Sequence, residues 1–359
     1  MKIFFMLCLL WTVVSTQAQN KQEQMKQIRQ AYSEAKQQMT DNNKKGAQRM
    51  DVKISVNDGT VVSEDFVIND ERKLDFYFKR IHQSGQTDLF EPCCYFIVES
   101  TAANGHTSYR EMLFNPLSGH LLFSFMKAET HAGFVIETRY YYDETGNVIE
   151  RKCKMNGNET EPDNQSWSDA GSDQKTAMIY TQIFLDLMRQ KGQAASSYTA
   201  SQSAGKDALM KRIRTLYTQA KQDVQKDAKS ETPMNVRIEI NDKEDPAMPA
   251  QKDIIQYWFR HNGDEGKGRC YFASSTCNLG DHSVYSEYLF DPQDSHLLFC
   301  YSQQKHNDGT PSEWRYYFDK AEKCIEVKGQ EPKYGPGFAD KTAAKAHLEL
   351  FNVLINPSF

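Results

Sequence analysis

Residues 137–150 read ETRYYYDETGNVIE, and residues 313–326 read EWRYYFDKAEKCIE. The two stretches are identical at seven of fourteen positions, without a gap. Each is rich in aromatic residues, breaks at a turn and then resumes, which is typical of a β-hairpin. Because the same hairpin is written twice, this stretch indicates that the chain repeats a larger structural unit.

The repetition extends through most of the chain. From Cys94 through Glu150 it keeps a constant offset of 176 residues. A repeat of that length can bury its own core, so we expect two similar domains. Further matches are MKQIRQAYSEAKQQM (25–39) with MKRIRTLYTQAKQDV (210–224), CYF (94–96) with CYF (270–272), and HLLFSF (120–125) with HLLFCY (296–301).

Each repeat predicts the same order of elements. It opens with apolar residues at helical spacing, such as Ile28, Tyr32 and Ala35, and continues with segments of period two. A second helical stripe closes it. The predicted fold class is therefore α+β, a tandem duplication in which each unit has an N-terminal helix, an antiparallel meander sheet of about six or seven strands and a C-terminal helix. The helices are expected on one face of the sheet.

The chain divides into four predicted segments. Lys2, an apolar run and Thr16-Gln17-Ala18 form the pattern of a cleaved secretory signal peptide at residues 1–18. A lipid anchor at Cys8 is disfavoured, because Phe5-Met6-Leu7 precedes it where a small residue is expected. Residues 19–189 form the first repeat domain, the Gln-, Ala- and Ser-rich residues 190–208 a linker, and residues 209–359 the second repeat domain.

Charge and composition exclude some partners. The chain has a formal net charge of −5, which becomes −6 if Lys2 leaves with the signal peptide. The sequence contains no basic stripe with interleaved aromatic residues, so we expect no nucleic-acid partner. No later segment is apolar enough for a transmembrane helix. The predicted location is periplasmic or extracellular.

Seven cysteines follow the predicted signal peptide. Cys93 and Cys94 are adjacent, and no C-x-x-C spacing occurs. Export permits disulfides, whereas metal ligands normally come at closer, paired spacings. We expect buried thiols with one or two disulfides.

The hairpin also supplies the candidate binding residues. In the first copy Thr138, Tyr140 and Tyr142 point to one face, which we expect to pack against helices. The other face carries arginine beside tyrosine, which can hold a carboxylate, a sugar or a peptide edge. The alternative is a solvated face with cross-strand ion pairs. The predicted ligand-binding residues are Glu137, Arg139, Tyr141, Glu313, Arg315 and Tyr317.

The sequence contains no recognisable catalytic motif. There is no G-x-S-x-G, H-E-x-x-H, Walker loop or G-x-G-x-x-G. His120 and His296 occupy the same slot after a Pro turn, and we expect each to bond a backbone group. We therefore predict no catalytic residue, no metal site and no cofactor.

The signal peptide, the YYYDETGNVIE hairpin and the repetition together resemble duplicated exported proteins of unknown function from Bacteroides-type bacteria. That resemblance implies a periplasmic or outer-surface location and no known activity. A helix beside an antiparallel meander also resembles cystatin-like folds in layout. The cystatin loop Q-x-V-x-G is missing, since Gln202-Ser203-Ala204-Gly205 does not match it.

These observations favour an exported, non-enzymatic binding protein with two related domains. Its partner would be a protein or glycan of the cell envelope. One alternative is a hydrolase or carbohydrate-active enzyme with its site between the domains. Another is a structural component of a surface assembly.

Overall fold

A computed structural model describes most of the chain. Residues 193–205 of the predicted linker lie outside the described part, and its two ends belong to helices. The described residues are 2–63, 66–82, 90–103, 106–129, 133–160, 170–192, 206–230, 232–243, 251–261, 268–279, 282–305, 310–329 and 341–355.

Helices and strands account for nearly all of the described residues. The helices are α1 (Lys2–Lys45), α2 (Ala170–Gly192), α3 (Lys206–Asp227) and α4 (Lys341–Ile355). The strands are β1 (Arg49–Ser63), β2 (Phe66–His82), β3 (Phe90–Ala103), β4 (His106–Phe114), β5 (Leu121–Glu129), β6 (Val135–Tyr142), β7 (Val148–Met155), β8 (Asn158–Thr160), β9 (Met234–Lys243), β10 (Gln251–His261), β11 (Gly268–Leu279), β12 (His282–Phe290), β13 (Leu297–Lys305), β14 (Pro311–Phe318) and β15 (Cys324–Gly329).

The predicted tandem duplication of helix–sheet–helix units is wrong as a fold class. The described strands form one fifteen-stranded sheet in the order β15-β14-β13-β12-β11-β10-β9-β1-β2-β3-β4-β5-β6-β7-β8. Strands adjacent in sequence pair as antiparallel neighbours, as in β4–β5, β5–β6 and β13–β14. The fold is thus α+β with an antiparallel sheet, but it does not contain two separate sheets.

The physical reason lies at the first strand of each repeat. In two separate sheets β1 and β9 would both be edge strands, with a row of unpaired backbone N–H and C=O groups. Here β1 and β9 are neighbours whose backbones are hydrogen-bonded to each other, so neither is an edge strand. The Asn57 side-chain amide also donates to the Asn235 amide oxygen at 3.1 Å. Sequence periodicity cannot show which edges will pair, so it could not predict this junction.

The chain forms two compact units. The first unit comprises Met1–Arg49, Asp75–Ser100 and His106–Ala177. The second unit comprises Met50–Leu74, Thr101–Gly105 and Met178–Phe359.

In the first unit α1 covers the face that carries the predicted Glu–Arg–Tyr row. Ile28 and Ala35 of α1 are buried in one cluster with Phe96, Phe123 and Tyr141 of the strands. The row therefore borders a helix rather than open solvent.

The opposite face of the first unit is covered by the start of α2. Ser124, whose neighbour across the strand pair is Tyr140, donates a hydrogen bond to Asp173 of α2 at 2.5 Å. Arg110 lies beside them, 3.2 Å from Glu99 and 3.7 Å from Asp173. Both faces thus carry helices, so the expectation of helices on one face is wrong.

The second unit has the same layering. Ile213 of α3 is buried with Phe272, Phe299 and Tyr317. On the other face, the Tyr257 hydroxyl and His347 Nδ1 of α4 are 3.1 Å apart. Successive strand residues alternate between the two faces of the sheet. Because helices cover both faces, residues on both need apolar or aromatic side chains. This explains why the hairpin reads RYYY rather than strictly alternating polar and apolar.

No helix within the described residues is both long and apolar enough to cross a membrane. Residues 2–18 of the predicted signal peptide belong to the first part of α1. All seven cysteines from Cys93 onward are thiols rather than disulfides, and five of them are buried. The expected disulfides are therefore not formed in this structure. Burial raises the pKa of the Cys94 and Cys270 thiols.

We expect the five buried thiols to be chemically inert in the folded protein. A thiol whose pKa is raised by burial holds little of the reactive thiolate at neutral pH. In a titration with an aromatic disulfide reagent, only Cys93 and Cys277, which are half-buried, should react before unfolding. All seven should react in denaturant without added reductant. A smaller number in denaturant would indicate disulfides.

We also expect His347 to make the second unit acid-sensitive. Burial lowers the pKa of its imidazole from 6.5 to about 3, so the folded state keeps it neutral while the unfolded chain accepts a proton. Its contribution to stability is complete above pH 6.5 and falls as the pH drops towards 3, by ~1.4 kcal/mol per pH unit. Urea unfolding followed by tryptophan fluorescence at pH 7 and pH 5 would measure this. His347→Phe should flatten the dependence, whereas His261→Gln, at an exposed position, should not.

Candidate functional site

A buried carboxylate ties α1 to the sheet of the first unit. Glu111 of β4 is only 3% exposed. It accepts hydrogen bonds from the hydroxyls of Tyr32 and Tyr109 and from Lys36 Nζ, the last at 2.7 Å. Burial alone would raise the pKa of the Glu111 carboxyl, but these three hydrogen bonds together lower it. Glu111 therefore stays ionised and acts as an anchor for the helix.

The second unit contains the same arrangement, with Glu287 of β12 only 2% exposed. Its partners are the Tyr217 hydroxyl, the Tyr285 hydroxyl at 2.6 Å and Lys221 Nζ at 2.5 Å. We call these two arrangements the carboxylate anchors. Each uses a tyrosine and a lysine four residues apart on a helix, which place both side chains on one helical face.

The carboxylate anchors lie in the same cross-strand rows as the predicted site residues. Glu111 pairs with Phe125, and Phe125 pairs with Arg139. In the second unit Glu287 pairs with Tyr301, and Tyr301 pairs with Arg315. The register of these glutamates against the hairpin was not readable from the sequence, and the structure settles it.

Between α1 and this row the first unit has a cavity of about 250 Å³. We call it the arginine–tyrosine pocket. The Arg139 guanidinium lies 4.9 Å from the centre of the Phe125 ring, and the Arg29 guanidinium lies 5.8 Å from that of Tyr141. Its lining residues are Arg29, Tyr32, Phe123, Phe125, Arg139 and Tyr141.

In the second unit, residues of the same types occupy the corresponding sequence positions, with Tyr301 in place of Phe125. Phe299 lies between Tyr217 and Tyr317, with ring centres 5.0 and 4.9 Å apart, and the corresponding distances around Phe123 are 4.8 and 5.0 Å. The Arg315 guanidinium lies 5.4 Å from the centre of the Tyr301 ring. The six corresponding residues are Arg214, Tyr217, Phe299, Tyr301, Arg315 and Tyr317.

The predicted site residues occupy different places in this arrangement. Arg139 and Tyr141 line the pocket directly, and Tyr141 is buried. Glu137 is outside the lining, where it accepts a hydrogen bond from Arg139 at 3.2 Å. In the second unit Glu313 accepts from Arg315 at 3.2 Å and from the Tyr301 hydroxyl at 3.0 Å. Burial and then this bond to Glu313 raise the pKa of Tyr301 to about 12.

The first pocket has a positive character. Two guanidiniums face it, and Glu137 compensates only one of them. The Glu111 charge is compensated by Lys36 outside the lining. Guanidinium groups held on aromatic rings present a planar set of donors that suits a carboxylate or another oxyanion.

Sequence reasoning missed Arg29 and Tyr32 as site residues. Tyr32 belongs to the apolar stripe of α1, and Arg29 is an exposed basic residue outside that stripe. The available clue was the repetition of Ile-Arg-x-x-Tyr at 28–32 and 213–217. Periodicity describes one element at a time, so it does not reveal which helical residues meet a strand.

The two turn histidines differ from each other. His120 Nδ1 bonds the backbone oxygen of Glu144, as expected. His296 instead pairs with the carboxylate of Asp294, and with Asp291 these groups place three ligand-type atoms within 4.8 Å of one another. Arg212 already pairs with Asp291 at 2.6 Å and Lys320 with Asp294 at 4.0 Å, so two cations compete for this cluster. It does not fit a metal ion well.

Comparisons of the chain with protein-family models, with curated proteins and with solved structures found no match. The functional reading therefore depends on the geometry of the site itself.

We expect the carboxylate anchor to contribute strongly to stability. Glu111→Gln leaves one acceptor oxygen for three donors, so the chain should lose roughly 2–3 kcal/mol of unfolding free energy. Urea unfolding at pH 7 would measure the loss. Glu34→Gln, at an exposed position of α1 whose carboxylate accepts a hydrogen bond from the Gln30 amide, is the control and should change stability little. Equal losses in the two variants would contradict the anchoring role.

Proposed function

We propose that the protein is an exported, non-enzymatic binding protein whose arginine–tyrosine pockets take an oxyanion, most simply a carboxylate. The ligand group would belong to a protein or glycan of the cell envelope. One chain would then hold two such groups, one in each unit. The alternatives of a hydrolase and of a structural component of a surface assembly remain predictions.

A single observation carries this proposal. In the first unit two arginines, two phenylalanines and two tyrosines line a cavity of about 250 Å³ beside α1. The second unit carries the same residue types at the corresponding positions, except that Tyr301 replaces Phe125. The volume of the cavity is below the range of about 300–1,000 Å³ typical of pockets for drug-sized molecules. It suits a terminal group or side chain rather than a large substrate.

The pocket residues support binding rather than proton transfer. Arginine stays protonated at any physiological pH and cannot act as a base. Burial and the hydrogen bond to Glu111 raise the pKa of the Tyr32 hydroxyl. The acid–base chemistry of a hydrolase needs groups whose pKa lies near the working pH. Arginines that stay charged and a tyrosine that stays protonated instead favour binding of a ligand without proton transfer.

The proposal is tested by titrating the full chain with benzoate and with hexuronates in a calorimeter at low salt. We expect two sites per chain. Removing both arginines of the first pocket (Arg29→Gln with Arg139→Gln) should leave one site, and adding Arg214→Gln with Arg315→Gln should leave none. Binding should weaken as ionic strength rises, because the pocket is partly exposed to solvent.

The control is Arg151→Gln. The Arg151 guanidinium also lies over a ring, 5.3 Å from the centre of Tyr140, but it belongs to the opposite face of the sheet. It should leave both sites intact. Arg139→Lys keeps the charge but not the planar fork, and should weaken binding by roughly tenfold. Equal loss in the Arg151→Gln chain, or no carboxylate binding by the unaltered chain, would refute the proposal.

A further inference from the structure

The first unit holds a second cavity on the other side of α1. It has a volume of about 500 Å³ and we call it the amide pocket. Its floor is apolar, formed by Ile28, Leu122 and Ile149, with side-chain amides and two carboxylates around it. The lining around this floor includes Gln24, Gln27, Ala31, Asn115, Asp143 and Glu144.

In the second unit, larger apolar side chains fill the region that corresponds to the amide pocket. Where the first unit has Gln24 and Ala31, the second has Leu209 and Leu216, which pack against its core. Leu298 and Ile325, at the positions of Leu122 and Ile149, are then completely buried.

In the first unit Leu122 and Ile149 remain only half-buried. The fold can therefore fill this space with two leucines, and the first unit keeps it open. An open apolar floor of this kind suggests that something else covers it.

The polar groups show what kind of ligand would fit. Asp143 is already committed to its turn, because its carboxylate accepts from the backbone N–H and the hydroxyl of Thr145 and from the backbone N–H of Asn147. These bonds, the Thr145 hydroxyl first, lower the pKa of Asp143. A general acid needs a raised pKa, so the neighbouring Asp143 and Glu144 do not form a catalytic pair.

The remaining groups are side-chain amides and one exposed carboxylate. Gln27 and Glu144 are exposed, and Gln24 and Asn115 are half-buried. The Asn115 side-chain oxygen already accepts from the backbone N–H groups of Leu117 and Ser118, which leaves its NH₂ group for a ligand. Side-chain amides both donate and accept, which matches hydroxyl groups better than it matches a charge. Among the described lining residues the charged groups are the carboxylates of Asp143 and Glu144, so an anion is disfavoured here, in contrast to the arginine–tyrosine pocket.

We propose that the amide pocket binds an uncharged saccharide unit. A sugar ring has one face of C–H groups, which would cover Leu122 and Ile149, and a rim of hydroxyls, which would meet the amides. The site belongs to the first unit alone, since the second unit fills the corresponding space. It is independent of the oxyanion proposal above, which concerns the opposite side of the helix.

The test is saturation-transfer NMR on the full chain with a panel of methyl hexosides, N-acetylhexosaminides, a hexuronate and putrescine. We expect an uncharged glycoside to bind. Gln24→Leu with Ala31→Leu, which imports the residues of the second unit, should weaken its Kd at least tenfold. Gln30→Leu adds the same side chain to the exposed face of α1 and is the matched control, with no expected effect.

Two further variants keep the outcome decisive. Gln27→Ala removes one exposed amide without filling the floor, and should weaken binding roughly three- to tenfold even if the double variant folds poorly. Arg139→Gln should leave glycoside binding unchanged. The proposal is overturned if no uncharged glycoside binds, if glycoside binding survives the double leucine variant, or if that variant abolishes binding of putrescine or of the hexuronate instead.

Discussion

The buried carboxylate of Glu111, with its counterpart Glu287, is the interaction on which the geometry of both units depends. A carboxylate that is almost inaccessible to water is costly unless several donors surround it. Here a lysine and a tyrosine come from the helix and a second tyrosine from the same strand. The lysine keeps the charge compensated and the two phenols satisfy the remaining lone pairs. The helix is thereby fixed in both height and rotation on the sheet.

Fixing the rotation of the helix has a chemical consequence. Tyr32 cannot reach Glu111 unless Arg29, one turn earlier, faces the end of β6, where Arg139 and Tyr141 lie. The pocket is thus a by-product of the anchor, and its two guanidiniums cannot collapse onto each other because each lies over an aromatic ring. Preorganised donors of this kind lose little conformational freedom when a ligand binds.

The sequence predicts the local elements well and their assembly poorly. The hairpin 137–150 is β6 and β7, the apolar stripe of residues 28–39 lies on α1, and antiparallel pairing of neighbouring strands follows from the short turns. The alternation of apolar residues along a strand does not specify which strand it will pair with at a sheet edge. The pairing of β1 with β9 could therefore not be predicted from the sequence. Nor does it specify which face a helix covers: RYYY carries large aromatic residues on both faces, and both are covered. Arg139 and Tyr141 were recognisable from their pattern, whereas Arg29 enters the pocket only through the rotation of α1.

The two units also differ, and the distribution of the differences is informative. On the face opposite α1 the first unit uses the charged residues Glu99 and Arg110, whereas Ser275 and Ser286 occupy the corresponding positions in the second. In the second unit Ser286 instead bonds Ser302. Either the charged pair or the two serines can be buried at these positions, because buried polar groups require only hydrogen-bond partners. The arginines of the pocket are partly exposed and packing does not require them, yet the same arginines stand at the same positions in both units. A requirement for an oxyanion explains that agreement more directly than a requirement of the core, because the core tolerates change at positions that are far more buried.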